Sequence, residues 1–221
     1  MNLLKIQKFD FLVSIYIFCI CAAELMGGKT FPLVKIFGYQ LNASVAIFLF
    51  PLLFTINDVI TEVYGKERTR SVIRSGLIVI ALIFLVSVIF VALPPSPRFS
   101  AANPSYTVVF GLSARIAAAS LIAFAVAEYT DVLVFVRLRK KIGKKALWLR
   151  NNVSNFTAQF FDTVLFMTLA FYALDMSLSS NASFLIGLII PYWLLKCFMS
   201  VIETPLVYLG VKWLRNSEPA K

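Results

Sequence analysis

No histidine occurs anywhere in the 221 residues. Zinc sites and imidazole general-base catalysis lose their usual ligand and proton carrier. Cysteine is scarce: Cys19, Cys21 and Cys197 all lie in apolar runs, with no C-x-x-C spacing. Cys19 and Cys21, two apart, project to nearly opposite sides of a helix, so all three read as small buried hydrophobes. There is no glycine-rich phosphate loop and no nucleophile–base pair, so no catalytic residue, metal or cofactor is expected. Charge is also thin, at 14% of residues against about a quarter in a soluble domain.

What is present is apolar. Hydrophobic residues make up 60% of the chain and the mean hydropathy is +0.84, an integral-membrane composition. The net charge of +10 would suit nucleic acid, but the basic residues sit between apolar runs, so no nucleic-acid partner is expected. Lys5 and Lys8 precede an apolar run as in a signal peptide. That run is long, lacks a small-residue cleavage pattern and holds Glu24, so it reads as a retained first span.

A span needs about 20 apolar residues to cross a core of about 30 Å. Six stretches qualify: residues 10–28, 44–64, 72–93, 113–136, 153–174 and 184–213. The expected fold is therefore an all-α membrane protein, a compact six-helix bundle forming one transmembrane domain over residues 1–221. The last stretch is long enough to be tilted, kinked at Pro191 or Pro205, or continued past the membrane. Pro51 interrupts the second and either kinks it beside a cavity or serves packing. Between the third and fourth lies PPSPRFSAANPSYTVVFG, with four of the nine prolines; a short interfacial turn is expected around Tyr106 to Phe110. No internal repeat is evident.

Lysine and arginine orient the bundle. Sixteen of the 21 fall on the side of the N-tail, the 2–3 loop, the 4–5 loop and the C-tail, and three (Lys29, Lys35, Arg98) on the other. Arg115 and Lys196 lie within spans. Both termini are therefore expected in the cytoplasm.

The most informative stretch is LLFTINDVITEVYGKERTRSVIRSG, residues 52–76. It places Asn57, Asp58 and Glu62 inside a span, then Gly65 and four basic residues, Lys66, Arg68, Arg70 and Arg74. Further charges fall in or at the edges of spans: Glu24, Arg115, Glu128, Asp131, Asp162, Lys196 and Glu203. Each would cost about 2.5–3.5 kcal/mol at a lipid-facing helix centre, so they should line a polar interior or pair across it. Helical spacing groups them. Asp58 and Glu62 share a face, as do Glu128 and Asp131, Lys196 and Glu203, and the stripe Asn155, Gln159 and Asp162.

Depth sorts them further. Asp162 and Lys196 both fall near mid-membrane and are natural partners. Glu24 and Arg115 lie in the outer part, where a pair between them is open; Arg115 also suits an interfacial anchor. Glu62, Asp131 and Glu203 sit nearer the cytoplasm, where salt bridges to the basic loops compete with a ligand role. Phe160 and Phe161, or Tyr192 and Trp193, are placed to stack on a flat ligand.

The chain resembles the queuosine precursor transporters, also described as vitamin-uptake-transporter-like proteins. The resemblance rests on FPLLFTINDVITEVYGKERTR (50–70), ARIAAASLIAFAVAEYTDVLVF (114–135), LWLRNNVSNFTAQFFDT (147–163), Lys196 and the ETP at 203–205. It implies a bundle similar to the substrate-binding subunits of energy-coupling-factor importers, in a bacterial plasma (inner) membrane. It also implies uptake of 7-cyano-7-deazaguanine and 7-aminomethyl-7-deazaguanine, and in some relatives queuine, for tRNA modification. The positions it carries as substrate-binding are Asn57, Asp58, Glu62, Arg115, Gln159, Asp162 and Lys196; Glu24, Glu128, Asp131, Asn155 and Glu203 are supporting or pairing residues.

Two readings compete. One is a carrier acting alone by alternating access. The other is a capture subunit docking an ATP-driven partner through a small-residue stripe such as Ala23 and Gly27. A homodimer is compatible with either, and an enzyme is disfavoured. The polar stripes alone do not separate a deazaguanine from a folate-like or flavin-like ring.

Overall fold

The structure is a computed structural model that describes residues 6–36, 38–142, 147–202 and 204–215. It is mostly helical. The order is α1 (Lys8–Met26), β1 (Thr30–Ile36), β2 (Tyr39–Ser44), a 3-10 turn (Val45–Phe48), α2 (Phe50–Tyr64), α3 (Lys66–Ala92), α4 (Asn103–Ile142), α5 (Leu147–Phe171), α6 (Leu178–Ile202) and α7 (Thr204–Arg215).

Five helices among the described residues are long and apolar enough to cross a membrane: Lys8–Met26, Val45–Tyr64, Lys66–Ala92, Asn103–Ala127 and Leu178–Phe198. The expected span at 153–174 corresponds to α5, whose apolar part, Phe156–Phe171, is shorter.

Local chemistry explains the breaks. Pro51 stands in the first turn of α2, where the missing N–H would have no helical partner. It starts the helix and does not kink it. Gly65 ends α2 with φ +83° and begins α3 one residue later. A side chain would be strained at that φ although the space around it is open. The basic residues after Gly65 are not a loop: Lys66–Arg74 form the first turns of α3, where Glu67 and Arg70 pair at 2.7 Å. Tyr106 to Phe110 belong to α4, which begins at Asn103 with Pro104 in its first turn. Pro191 lies inside α6, whereas Pro205 opens α7.

The all-α expectation needs one correction. Between α1 and α2 the chain forms an antiparallel hairpin, β1 with β2, running from Thr30 opposite Ser44 to Ile36 opposite Tyr39. Gly38, with φ +85°, permits the turn. The hairpin is anchored. The Ser44 hydroxyl donates to Gly27 O at 2.5 Å and accepts from Ala46 N at 3.2 Å. The Tyr192 hydroxyl donates to Ser44 O at 3.0 Å. Gly187 of α6 runs so close that a Cβ there would stand 2.6 Å from Gln40 O.

The interior is apolar in two main parts. Tyr16, Cys19, Ile20, Leu53, Ile56, Ile60, Val72 and Ile80 join α1, α2 and α3. Ala43, Met167, Leu185, Leu188 and Tyr192 join the hairpin, α5 and α6. The outer face of α3 exposes Ile78, Leu82, Leu85, Ile89 and Phe90, as suits a lipid-facing helix. The two ends of the described chain meet, because Lys8 Nζ donates to Trp213 O and lies 4.5 Å above the Trp213 ring.

Candidate functional site

A cavity of about 260 Å³ lies between the two apolar parts and takes lining residues from each of α1 to α6. Its walls are largely aromatic and aliphatic. Tyr16 and Ile20 come from α1, Phe50, Leu53 and Phe54 from α2, Leu77 and Ile80 from α3, Phe124 from α4, Phe166 from α5 and Tyr192 from α6. Phe50 meets Tyr192 edge-on at 5.6 Å. The aromatic walls are therefore not the pairs read from the sequence: Phe160 and Phe161 are about half exposed, and of the other pair only Tyr192 lines the cavity. The phase of α5 turns Asp162, Thr163, Phe166 and Met167 inward and its neighbours outward.

One polar cluster joins α5 and α6. Lys196 Nζ stands 2.5 Å from Asp162 Oδ2 and 3.1 Å from Thr163 Oγ1. Thr163 is 1% exposed and donates to Gln159 O at 2.8 Å. The expected partnership of Asp162 and Lys196 is thus present. Thr163 was not among the candidate site residues, although it closes the LWLRNNVSNFTAQFFDT stretch that carries the resemblance.

A second polar group comes from α1, α2 and α4. Glu24 is 6% exposed and has the Ser120 hydroxyl beside it. Its Oε2 and the Asn57 Oδ1 are buried and have no hydrogen-bond partner among the described residues. Both residues line the cavity.

Arg115 does not pair with Glu24. Its Nε donates to Leu169 O at 2.7 Å and its Nη2 to Tyr172 O at 2.6 Å. The last carbonyls of a helix lack intrahelical donors, and the planar guanidinium serves two of them at the end of α5. Arg115 is exposed and lies outside the cavity lining.

Helix phase likewise separates Asn57 from Asp58. Leu53, Ile56 and Ile60 bury one side of α2. Asn57 reaches the cavity from the edge of that side, whereas Asp58 is exposed and outside the lining. Glu62, one turn on, is 65% exposed and stands 3.8 Å from Arg215 of α7. Gln159 also lies outside the lining. The side chains of Glu128, Asp131 and Asn155, and Glu203 as a whole, fall outside the described residues.

The arrangement can enclose a small flat solute between aromatic rings and offer it a cation, carboxylates and an amide. Residues 44–210 match the family described as "Putative vitamin uptake transporter". The chain belongs to this family. It is a multi-pass membrane protein of a transport family, by that match and its apolar helices.

Three relatives carry a narrower name. A "Probable queuosine precursor transporter" of Bacillus subtilis (strain 168) is 29% identical over 203 residues, 91% of this chain and 83% of the relative. The "Queuosine precursor transporter" of Escherichia coli (strain K12) is 30% identical over 140 residues, 63% of this chain and 59% of the relative. A "Probable queuosine precursor transporter" of Haemophilus influenzae is 28% identical over 134 residues, 61% and 54%. No solved structure matches the chain.

Proposed function

We propose that this family member carries queuosine precursors, 7-cyano-7-deazaguanine and 7-aminomethyl-7-deazaguanine, and by extension queuine, inward across a bacterial plasma membrane for tRNA modification. The observation that carries this reading is the cavity itself. It is lined by six helices, walled by aromatics, and provided with Asn57, Asp162 and Lys196. A deazaguanine is flat and polar only at its rim. Its N1–H and N2–H face acceptors on Asp162 and Asn57, its O6 faces the Lys196 ammonium, and the rings of Phe50, Phe54 and Phe166 cover its faces. The names of the relatives support the cargo class.

The same reading makes α5 a span as well, six in all, and places both termini in the cytoplasm. The sixteen-to-three distribution of basic residues supports this, as does the contact between Lys8 and Trp213. The site narrows to Asn57, Asp162 and Lys196. Asp58 and Glu62 then belong to the cytoplasmic end of α2, and Arg115 to the end of α5.

The test is ligand-induced thermal stabilisation of detergent-purified protein by the two precursors, queuine, guanine and riboflavin. Saturable stabilisation by a deazaguanine, lost in Asp162→Asn, is the expected result. Folded protein that responds to none of them would remove the cargo assignment. Proteoliposomes holding this chain alone should then accumulate labelled precursor and release it chemically unchanged. Binding without uptake there would favour a capture subunit that needs an ATP-driven partner.

A further inference from the structure

Glu24 meets only the Ser120 hydroxyl in the contacts described so far, yet it is the one charged side chain among the described residues that is more than nine-tenths buried. Three charged side chains line the cavity among those residues: Glu24, Asp162 and Lys196. Asp162 and Lys196 neutralise each other at 2.5 Å. Arg115, the cation that the sequence placed at a similar depth, is committed to the carbonyls of Leu169 and Tyr172. Among the described residues, the cavity therefore holds one carboxylate that no cation answers. The cavity lining is largely apolar, including Ile20, Phe54 and Ile116, and an uncompensated carboxylate is unfavourable in such surroundings. The Glu24 Oε2 has no donor among the described residues.

A solute that brings both a positive charge and N–H donors satisfies this group. An ammonium carries three donors and no acceptor, so it can meet the Glu24 carboxylate and the Ser120 hydroxyl without leaving a buried acceptor of its own. We propose that Glu24 is the specificity-determining residue of the cavity, binding a protonated amine, and that the site selects a monocationic base over its neutral counterpart. This rests on the cargo assigned above and sharpens it. The aminomethyl precursor is a cation at neutral pH. The cyano precursor has the same ring system but ends in a neutral nitrile, an acceptor that offers Glu24 nothing.

Calorimetric affinities for the two precursors, on folded wild-type protein and on Glu24→Gln, Glu24→Asp and Asp162→Asn, decide the matter. Wild-type protein should bind the aminomethyl precursor at least about tenfold more tightly than the cyano precursor, the scale of one charge-assisted hydrogen bond. Glu24→Gln should abolish that preference by weakening the aminomethyl compound alone, leaving the cyano compound within about threefold. Glu24→Asp, which keeps the charge, should retain part of the preference. Asp162→Asn should weaken both compounds together. A wild-type preference for the neutral precursor, or an equal loss of both in Glu24→Gln, would overturn the assignment to Glu24 and leave the cargo reading intact. A wild-type preference for the neutral precursor overturns the assignment even where a variant does not fold. Binding of neither precursor would overturn both.

Discussion

The two polar walls of the cavity differ in kind. On the α5–α6 side, acid and base meet at 2.5 Å and a buried threonine completes the set. On the α1–α2 side, Glu24 Oε2 and Asn57 Oδ1 are buried acceptors with no donor among the described residues, although the Ser120 hydroxyl stands beside Glu24 and the Tyr16 hydroxyl beside Asn57. A satisfied pair can be explained by stability alone. An unsatisfied acceptor beside a cavity is unfavourable for the empty protein, and is explained by what enters. The first wall therefore holds the bundle together, and the second is the better guide to the ligand.

The largest expected effect comes from breaking the satisfied wall. Lys196→Met leaves Asp162 partly buried without its cation and should destabilise the protein by roughly 3 kcal/mol, read as a lower thermal midpoint and loss of uptake. Adding Asp162→Leu to it should recover much of the midpoint and none of the uptake. If the single variant keeps its midpoint, the pair is not structural and the contrast between the walls fails.

Arg115→Ala tests a cation that serves backbone and not cavity. Loss of two charge-assisted bonds to the end of α5 should cost about 1.5–3 kcal/mol. Arg115→Lys should recover little, since one ammonium does not reproduce the fork. Uptake per folded molecule should be unchanged; a selective loss of transport would instead return Arg115 to the site. The smallest effect belongs to Glu62→Gln. Its partner Arg215 is 3.8 Å away and both are more than half exposed, so the midpoint should move by no more than about 0.5 kcal/mol equivalent. A large shift would show that α7 is held by this pair and not by its packing on α2.

Much of this was legible in the chain. The apolar runs, the partnership of Asp162 with Lys196, and the shared face of Asp58 and Glu62 follow from hydropathy, depth and helical period. What was missed has identifiable causes. The hairpin is written in Thr30 to Ser44 as two short runs around a glycine, but in so apolar a chain that pattern does not stand out from a loop between spans. The starts of α3 and α4 were set too late because their first turns are polar, and hydropathy marks membrane length while helix length follows from caps and breakers.

The sequence by itself determined that the chain is a multi-span helical protein, that its few charges must be sheltered, and that a helix ends at Gly65. These depend on composition, period and backbone restrictions, which are local. Apart from the pair of Asp162 and Lys196, only the tertiary structure decided which charges meet. A rotation of about 100° per residue separates Asn57 in the cavity from Asp58 outside it. The free carbonyls at the end of α5 drew Arg115 away from Glu24. Helix phase and the competition among partners are set by packing between distant segments, and so the unanswered carboxylate is visible only once all six helices are in place.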